Sequence, residues 1–255
     1  MRFHILTLFP DMVEQGLHTS IIGRAVEKGL LTIEAVNIRD YTVDKHKKVD
    51  DYPYGGGAGM VMQAQPIYDA YLSIVEKIGY RPRTIYLTPQ GPLFTQQAAK
   101  EFALEEDVIL LCGHYEGVDQ RVLDAWDMEE VSIGDYILTG GELPAMVLID
   151  SVARFIPQVL GAQESATEES IYSGLLECDQ YTKPQVYEEM AVPEVLYSGN
   201  HKLIHLAQYR NALELTQARR PDLFRRYIEK VEKEKTLTKE ERKILEEIVR
   251  KTTGS

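Results

Sequence analysis

Cysteine is scarce in this 255-residue chain, which contains only Cys112 and Cys178. The two residues lie far apart and belong to no CxxC pair or Cys/His cluster, so neither a disulfide framework nor a zinc site is indicated. We therefore expect a reducing, cytoplasmic location. No apolar run approaches the roughly 18 residues of a membrane span, so we expect no membrane partner. The opening MRFHILTLFP is too short for a signal peptide and predicts a first β-strand.

The common signatures of nucleotide and hydrolase chemistry are also missing. No GxGxxG follows the first strand and no GxxxxGK[ST] occurs, which argues against a dinucleotide site and a P-loop. No GxSxG elbow is present. The six histidines are scattered and form no HxH pair, so the sequence predicts no metal site. A lone histidine such as His114 is more often a hydrogen-bonded or surface residue than a ligand.

Positive charge is in deficit, with 28 Lys/Arg against 40 Asp/Glu and a net charge of −12. This balance argues against general nucleic-acid binding, and we expect no DNA partner. The charge is uneven, because residues 161–255 carry 15 basic and 17 acidic side chains. The segment ARRPDLFRR places Arg219, Arg220, Arg225 and Arg226 close together. This cluster either contacts phosphate or forms a solvated helix face.

The order of apolar segments predicts an α/β domain over residues 1–160, built around a largely parallel sheet. The predicted strands are Phe3–Phe9, Leu31–Ile38, Thr84–Thr88 and Val108–Cys112, and the predicted helices are Thr19–Lys28, Ile67–Ile78 and Thr95–Glu105. Residues 161–173 are small and polar and predict a flexible linker. Residues 174–255 predict a smaller, mostly helical domain. Its last helix is expected to open on a capping box of Thr238 and Glu241.

Three loops of unusual composition follow strand-like segments: TPQGP (88–92), CGHYEG (112–117) and SIGDYILTGGELP (132–144). In parallel sheets, ligands collect at the carboxyl ends of the strands. Loops of this kind offer backbone groups and a shape without much side-chain charge, which suits an adenine-bearing cofactor. The alternative is that they are only tight turns. Three together make that alternative weaker.

The residues of these loops also carry a family resemblance. YLTPQGP (86–92), CGHYEGVDQR (112–121), SIGDYILTGGELPAMVLIDSVARFIP (132–157) and DKHKKVDDYPYGGGAGMVM (44–62), with SGNH (198–201) and RRPDL (219–223), closely resemble the bacterial tRNA (guanine-N1)-methyltransferase family, TrmD, of the SPOUT class. The resemblance covers nearly the whole chain in the right order. It implies a deep trefoil knot, S-adenosylmethionine as methyl donor, a homodimer, and methylation of guanosine N1 at position 37 of tRNA.

The resemblance also implies which residues bind. The expected cofactor residues are Tyr86, Leu87, Thr88, Pro89, Gln90, Gly91, Gly113, Tyr115, Glu116, Gly117, Ser132, Ile133, Gly134, Asp135, Tyr136, Ile137, Leu138, Gly140, Gly141 and Pro144. Gly140 and Gly141 are expected to be bare so that the backbone can press against the cofactor. The expected substrate residues are Tyr54, Gly55, Gly59, His201, Arg219 and Arg220. Family enzymes need magnesium, and any Mg²⁺ is expected to sit with the RNA or the cofactor rather than in a dedicated protein site.

Two residues are implied in catalysis. Arg154 matches the essential arginine of the family, whereas spacing alone would pair it with Asp150 on a helix. The family places its base, an aspartate, in a Glu-Asp-Ser-Phe motif, and the matching residues here are Glu168-Glu169-Ser170-Ile171. Glu169 is therefore the expected general base. Its side chain is longer than aspartate by one carbon–carbon bond, about 1.5 Å.

Further departures fall in the second domain. Ala207-Gln208 stand where the family shows Trp-Arg, Lys183 replaces an arginine, and Asp179 replaces a proline. Losing an aromatic and an arginine removes stacking and phosphate contacts. Three interpretations remain: an ordinary family enzyme with drift, a paralogue that methylates another RNA or a small molecule, or a catalytically weak RNA-binding protein. Arg154 and the intact loops argue against the last.

Overall fold

The computed structural model describes residues 1–160 and 173–253, and the chain divides into two compact units, Met1–Gln163 and Glu164–Ser255. The segment expected to be a flexible linker, 161–173, lies almost wholly outside the described residues, so its flexibility stays a prediction.

A parallel five-stranded sheet forms the centre of the first unit, as the sequence predicts. The strands of this unit are β1 Arg2–Thr7, β2 Thr32–Asn37, β3 Asp50–Asp51, β4 Val61–Met62, β5 Arg83–Leu87, β6 Asp107–Cys112 and β7 Glu129–Val131. The sheet order is β2-β1-β6-β5-β7, with every pairing parallel. Strands β3 and β4 form a separate antiparallel pair. Strand β7 ends at Val131, and residues 132–141 form a loop.

Helices cover both faces of this sheet: α1 Pro10–Leu17, α2 Ser20–Glu27, α3 Ala64–Ile78, α4 Gln96–Phe102, α5 Gln120–Trp126 and α6 Glu142–Ala153. Phe3 and Leu110 pack in a core with α1, α2, α4 and α6, whereas Leu6 and Ile109 pack in a second core with α3 and α5. Every residue of β6 is buried, which explains its unbroken apolar sequence. No helix within the described ranges has the length and apolar content to cross a membrane.

The predicted helices are present with different ends, and two helices were missed. Thr95 caps α4 as expected, because its hydroxyl accepts a hydrogen bond from the Ala98 amide at 3.2 Å. Sequence periodicity did not identify α1 and α5. Length is not the reason, because α2 and α4, which were predicted, also have eight and seven residues. Pro10 at the start of α1 and Asp119 at the cap of α5 are start signals that periodicity alone does not register.

The second unit contains a two-stranded hairpin, β8 Val186–Tyr187 with β9 Met190–Ala191, and three helices: α7 His201–Arg219, α8 Pro221–Glu234 and α9 Lys239–Thr253. Leu213, Phe224 and Ile248 belong to its core. The predicted capping box of α9 is confirmed, since the Thr238 amide donates to Glu241 Oε2 at 2.8 Å and the Glu241 amide donates to Thr238 Oγ1 at 3.2 Å.

A buried aspartate joins the two central strands at the amino edge of the sheet. The Asp107 side chain is 0% exposed. Arg2 Nε donates to its Oδ1 at 2.6 Å, His4 Nε2 lies 2.9 Å from the same oxygen, and the Tyr80 hydroxyl binds Oδ2. The Arg2 guanidinium, helped by Tyr80 and His4, holds the pKa of Asp107 well below its ordinary value.

We expect Asp107→Asn to lower the free energy of unfolding by about 2–3 kcal/mol at pH 7, because it leaves Arg2 without its buried anionic partner. A depressed carboxyl pKa stabilises the fold above the unfolded value of about 3.9, and this contribution is lost as pH falls through the folded pKa. The difference between wild type and variant should therefore shrink below about pH 4. Urea unfolding followed by the fluorescence of Trp126, the single tryptophan, measures the free energy of unfolding of this unit.

Asp40→Asn is the matched control, because Asp40 pairs with Lys47 at 2.9 Å on the exposed surface. Exposed ion pairs of this kind contribute little to the free energy of unfolding. Equal losses of stability in the two variants would contradict the role assigned to Asp107.

Candidate cofactor and active site

The carboxyl edge of the sheet holds a cavity of about 590 Å³. This volume falls within the range of about 300–1,000 Å³ that is typical of small-molecule sites. Its walls come from the ends of β5, β6 and β7 and from the loops that follow them. The prediction that the three loops converge at one edge of the sheet is therefore confirmed.

Most residues expected to bind the cofactor line this cavity. They are Tyr86, Leu87, Thr88, Pro89, Gln90, Gly113, Tyr115, Glu116, Gly117, Ser132, Ile133, Gly134, Tyr136, Ile137, Leu138, Gly140, Gly141 and Pro144. Gly91 and Asp135 belong to the same loops but are not among the lining residues. Pro144 stands in the first turn of α6, where its missing amide hydrogen costs no helix bond.

Seven further lining residues were not predicted: His114, Val118, Gln120, Leu123, Glu130, Val131 and Thr139. His114 lies inside a predicted loop, between the expected cofactor residues Gly113 and Tyr115. Its place in the sequence therefore pointed to a lining position. Gln120 and Leu123 belong to α5, which the sequence analysis missed. Their place in the wall depends on the packing of that helix.

The cavity loops press against other parts of the chain at three glycines, two of which meet backbone and one a side-chain ring. A Cβ at Gly91 would lie 2.4 Å from the Glu130 carbonyl carbon, and one at Gly141 would lie 2.5 Å from Cys112 Cα. A Cβ at Gly113 would lie 2.9 Å from the Tyr86 ring. The expected reason for a bare Gly141 therefore needs correction, because the space in front of it is filled by β6. The glycine allows the protein to pack against itself, and its backbone still lines the cavity.

Gly140 is bare for a related reason. A Cβ there would lie 2.2 Å from His114 Cε1 and 2.7 Å from Glu142 Oε2. The His114 ring occupies this space because its Nε2 lies 2.8 Å from the same carboxylate oxygen. The loop thus closes over a partly buried imidazole and a buried carboxylate, which also corrects the expectation that the cofactor fills this space.

The charges of the cavity favour a neutral or cationic ligand. Glu116 and Glu130 line it, and no lysine or arginine is found among its described lining residues. The amino terminus of α6, a place where helices often bind phosphate, carries the carboxylate of Glu142 in its first turn. Burial, followed by the charge of Glu130, raises the pKa of Tyr86, so this phenol stays neutral. A phosphate-bearing ligand finds no counter-charge here.

The early glycine loop reaches the rim of the cavity at one end. A Cβ at Gly59 would lie 2.4 Å from Glu116 Oε1, and the Glu116 amide donates to the Met60 carbonyl at 2.9 Å. Gly55 has open space in front of it and a φ of +89°. Tyr54 is fully exposed at 101%. Of the three predicted residues in this loop, the structure brings only Gly59 next to the cavity wall.

The two expected catalytic residues are not seen in the cavity. Arg154 caps the carboxyl end of α6, whereas Gly141 caps its amino end beside the cavity. At 1.5 Å per residue, these ends lie about 20 Å apart. Arg154 is not a lining residue of the cavity in its own chain. Glu169 lies outside the described residues, so its role stays a prediction.

The other three expected substrate residues, His201, Arg219 and Arg220, belong to the second unit. His201 is the first residue of α7 and Arg219 the last, which separates them by about 27 Å along the helix. Arg220 lies between α7 and α8 and pairs with Asp222 at 2.7 Å. His201 and Arg219 therefore cannot bind the same nucleotide, and a shared role requires an extended ligand.

Comparison with known proteins decides the family. The model of the family described as tRNA (Guanine-1)-methyltransferase TrmD matches residues 1–226. This chain belongs to that family. The tRNA (guanine-N(1)-)-methyltransferase of Lachnospira eligens is 56% identical over 230 residues, which cover 90% of this chain and 98% of the relative. The proteins of the same name from Alkaliphilus oremlandii and Clostridium botulinum are 53% and 51% identical and align with 97% and 98% of this chain, and with 98% and 100% of their own lengths.

The described part of this chain contains no evident protein site for a metal ion. No group of three His, Cys, Asp or Glu side chains suitable for holding a metal ion occurs within residues 1–160 and 173–253. The expected place of any Mg²⁺, with the RNA or the cofactor, stays a prediction.

We expect Gly141→Ala to destabilise the first unit by about 3 kcal/mol, because its Cβ would lie 2.5 Å from the backbone of Cys112. Gly56→Ala is the control. It meets open space and carries only the strain of a φ of +79°, about 1–2 kcal/mol. Urea unfolding followed by Trp126 fluorescence compares the two. A cost at Gly141 no greater than at Gly56 would show that the loops do not pack as tightly as described.

Proposed function

We propose that this protein is an S-adenosylmethionine-dependent methyltransferase that modifies N1 of guanosine at position 37 of tRNA. The observation that carries the proposal is the cavity at the carboxyl edge of the sheet, formed by the loops of the TrmD family and lined, among the described residues, by carboxylates and no lysine or arginine. Its relatives are named for the same reaction.

The cavity fits S-adenosylmethionine in charge and shape. Its volume of about 590 Å³ suits a ligand of this size, and Leu87, Ile133 and Leu138 offer apolar walls for an adenosine. Glu116 and Glu130 suit a cationic sulfonium. When bound, this cofactor supplies a methyl group activated by the positive sulfur. Tyr115 and Ile137 are 49% and 81% exposed at the cavity, so a second ligand or chain has apolar surface to cover.

The protein has two tasks in the reaction. Guanine N1 carries a proton that is only weakly acidic, so a carboxylate of Glu169 would accept it as N1 attacks the methyl carbon. The guanidinium of Arg154 would stabilise the negative charge that develops on guanine O6. The proton would end on Glu169 and the methyl group on N1, and the electron pair of the broken sulfur–carbon bond would stay on the sulfur of the departing S-adenosylhomocysteine.

A homodimer would complete this site, because Arg154 lies about 15 Å along α6 from Pro144, the nearest lining residue on that helix. Leu143 and Val147 are 44% and 47% exposed on α6, and Arg154 falls on the same face at helical spacing. Phe9, which precedes the neighbouring helix α1, and Met12, which lies within it, are also exposed. Apolar surface of this kind favours a second copy of the chain, which would deliver Arg154 to a cavity it does not reach alone.

The deep trefoil knot is also part of the proposal. Its support is the family membership and the close packing of the loops, in which Gly91 lies against β7 and Gly141 lies against β6. A cytoplasmic location stays a prediction.

The methylation assay tests the function. We expect the protein to methylate an unmodified tRNA transcript with guanosine at position 37, and nucleoside mass spectrometry should find 1-methylguanosine. Glu169→Gln should slow the chemical step by roughly 10²–10⁴-fold, since it removes a positioned base, without weakening cofactor binding. Glu169→Asp should stay active because it restores the family residue.

A transcript with adenosine at position 37 is the substrate control, and Glu168→Gln is the protein control. If Glu168→Gln is inactive while Glu169→Gln is not, the base is Glu168. If the protein binds S-adenosylmethionine but leaves guanosine 37 unmodified, the paralogue interpretation replaces this one. The departures at Ala207, Gln208 and Lys183 would then reflect a different acceptor.

We expect light scattering to give a dimer of the 29.0 kDa chain at micromolar concentration. Val147→Glu should shift it towards monomer, because the variant places a charge in the exposed apolar face of α6. Val43→Glu is the control, since Val43 is 87% exposed on a separate loop. A monomeric wild-type protein with full activity would refute the shared site.

A further inference from the structure

A buried carboxylate contacts the wall of the cavity without lining the cavity itself. Glu142, the first residue of α6, is 2% exposed. Its Oε1 accepts a hydrogen bond from Thr7 Oγ1 at 2.6 Å, and its Oε2 lies 2.8 Å from His114 Nε2. A buried carboxylate is costly without such partners, so this arrangement is held tightly.

Three segments of the chain meet at this carboxylate. Thr7 ends β1, and its hydroxyl also accepts from the Phe9 amide at 2.9 Å. His114 belongs to the loop that follows β6, and Glu142 opens α6. Beside them the Gly141 amide donates to the Gly113 carbonyl at 3.0 Å, which joins the second and third cavity loops directly.

The His114 ring has little freedom to move. Its centroid lies 5.0 Å from that of the Phe9 ring, and Gly140 lies so close that a Cβ there would be 2.2 Å from His114 Cε1. The hydrogen bond to Glu142 therefore sets the position of a ring that lies between the two loops. Moving the ring requires moving Gly140 or the loop that carries His114.

We propose that Glu142 is a positioning residue which, through His114, sets the separation of the second and third cavity loops and so the affinity for S-adenosylmethionine. The proposal rests on the proposed function, because it concerns the same cavity. Glu142 touches no substrate or cofactor in this role. His114, which lines the cavity, is the residue through which it acts.

Glu142→Gln tests the role with little change in size. The carboxylate accepts hydrogen bonds from both Thr7 and His114, whereas the amide keeps only one acceptor oxygen. One amide orientation places its N–H₂ group 2.8 Å from His114 Nε2, and the other places it against the Thr7 hydroxyl. We expect calorimetry with S-adenosylhomocysteine to show affinity at least about tenfold weaker, the loss expected for one charge-assisted hydrogen bond. In the ligand-free protein, amide hydrogen exchange of residues 113–117 should quicken. In turnover, KM for S-adenosylmethionine should rise while KM for tRNA does not.

The double variant with His114→Gln tests whether Glu142 acts through His114. We expect it to bind S-adenosylhomocysteine no more weakly than the weaker single variant, because both changes break one interaction. If the two losses simply add, Glu142 does not act through His114, and the proposal is overturned.

Asp107→Asn is the matched control, because Asp107 and His4 form a second buried carboxylate–histidine pair at the opposite edge of the same sheet. This variant should lose stability but keep its affinity. An equal loss of affinity in Asp107→Asn would mean that Glu142 contributes only general stability. If wild type binds and Glu142→Gln binds equally well, only the positioning role fails. If wild type binds no S-adenosylhomocysteine, the proposed function fails first.

Discussion

The site depends on backbone segments that approach more closely than any side chain allows. Gly91 lies against β7, Gly113 against the Tyr86 ring and Gly141 against β6. Each contact is shorter than a Cβ atom tolerates, so glycine is required for packing rather than for a special backbone angle. The cavity is the space that remains where these segments meet. Its shape is therefore set by the protein's own interior packing, before any ligand is considered.

Two buried carboxylates hold the two edges of the sheet in different ways. Asp107 is bound by Arg2, Tyr80 and His4 and joins β1 to β6 where these strands begin. Glu142 is bound by Thr7 and His114 and joins the end of β1 to the loop beyond β6. An anion with several donors costs little to bury, and each one fixes the spacing of the segments that supply its donors. Together the two carboxylates fix the positions of β1 and β6 and of the loop that follows β6 at the carboxyl edge of the sheet.

Much of the fold could be predicted from local patterns. The apolar runs around Ile5 and Leu110 predicted parallel strands because both faces of such a sheet are buried. Thr95 and Thr238 predicted helix starts because a capping hydroxyl acts on amides only two or three residues away. The helices α1 and α5 were missed, although α2 and α4 are equally short and were predicted. The walls that α5 contributes to the cavity, at Gln120 and Leu123, were missed with it.

The sequence by itself determined most of the elements, the loops and the family, because these depend on local spacing and on long, specific motifs. Only the tertiary structure decided what each loop residue faces. It placed His114 on a buried carboxylate, turned the Cβ direction of Gly141 towards Cys112, and put Arg154 about 15 Å along α6 from the lining residue Pro144. It also set the strand order β2-β1-β6-β5-β7, which brings residues far apart in the chain to one edge. Those relations arise from long-range packing, and no local pattern records them.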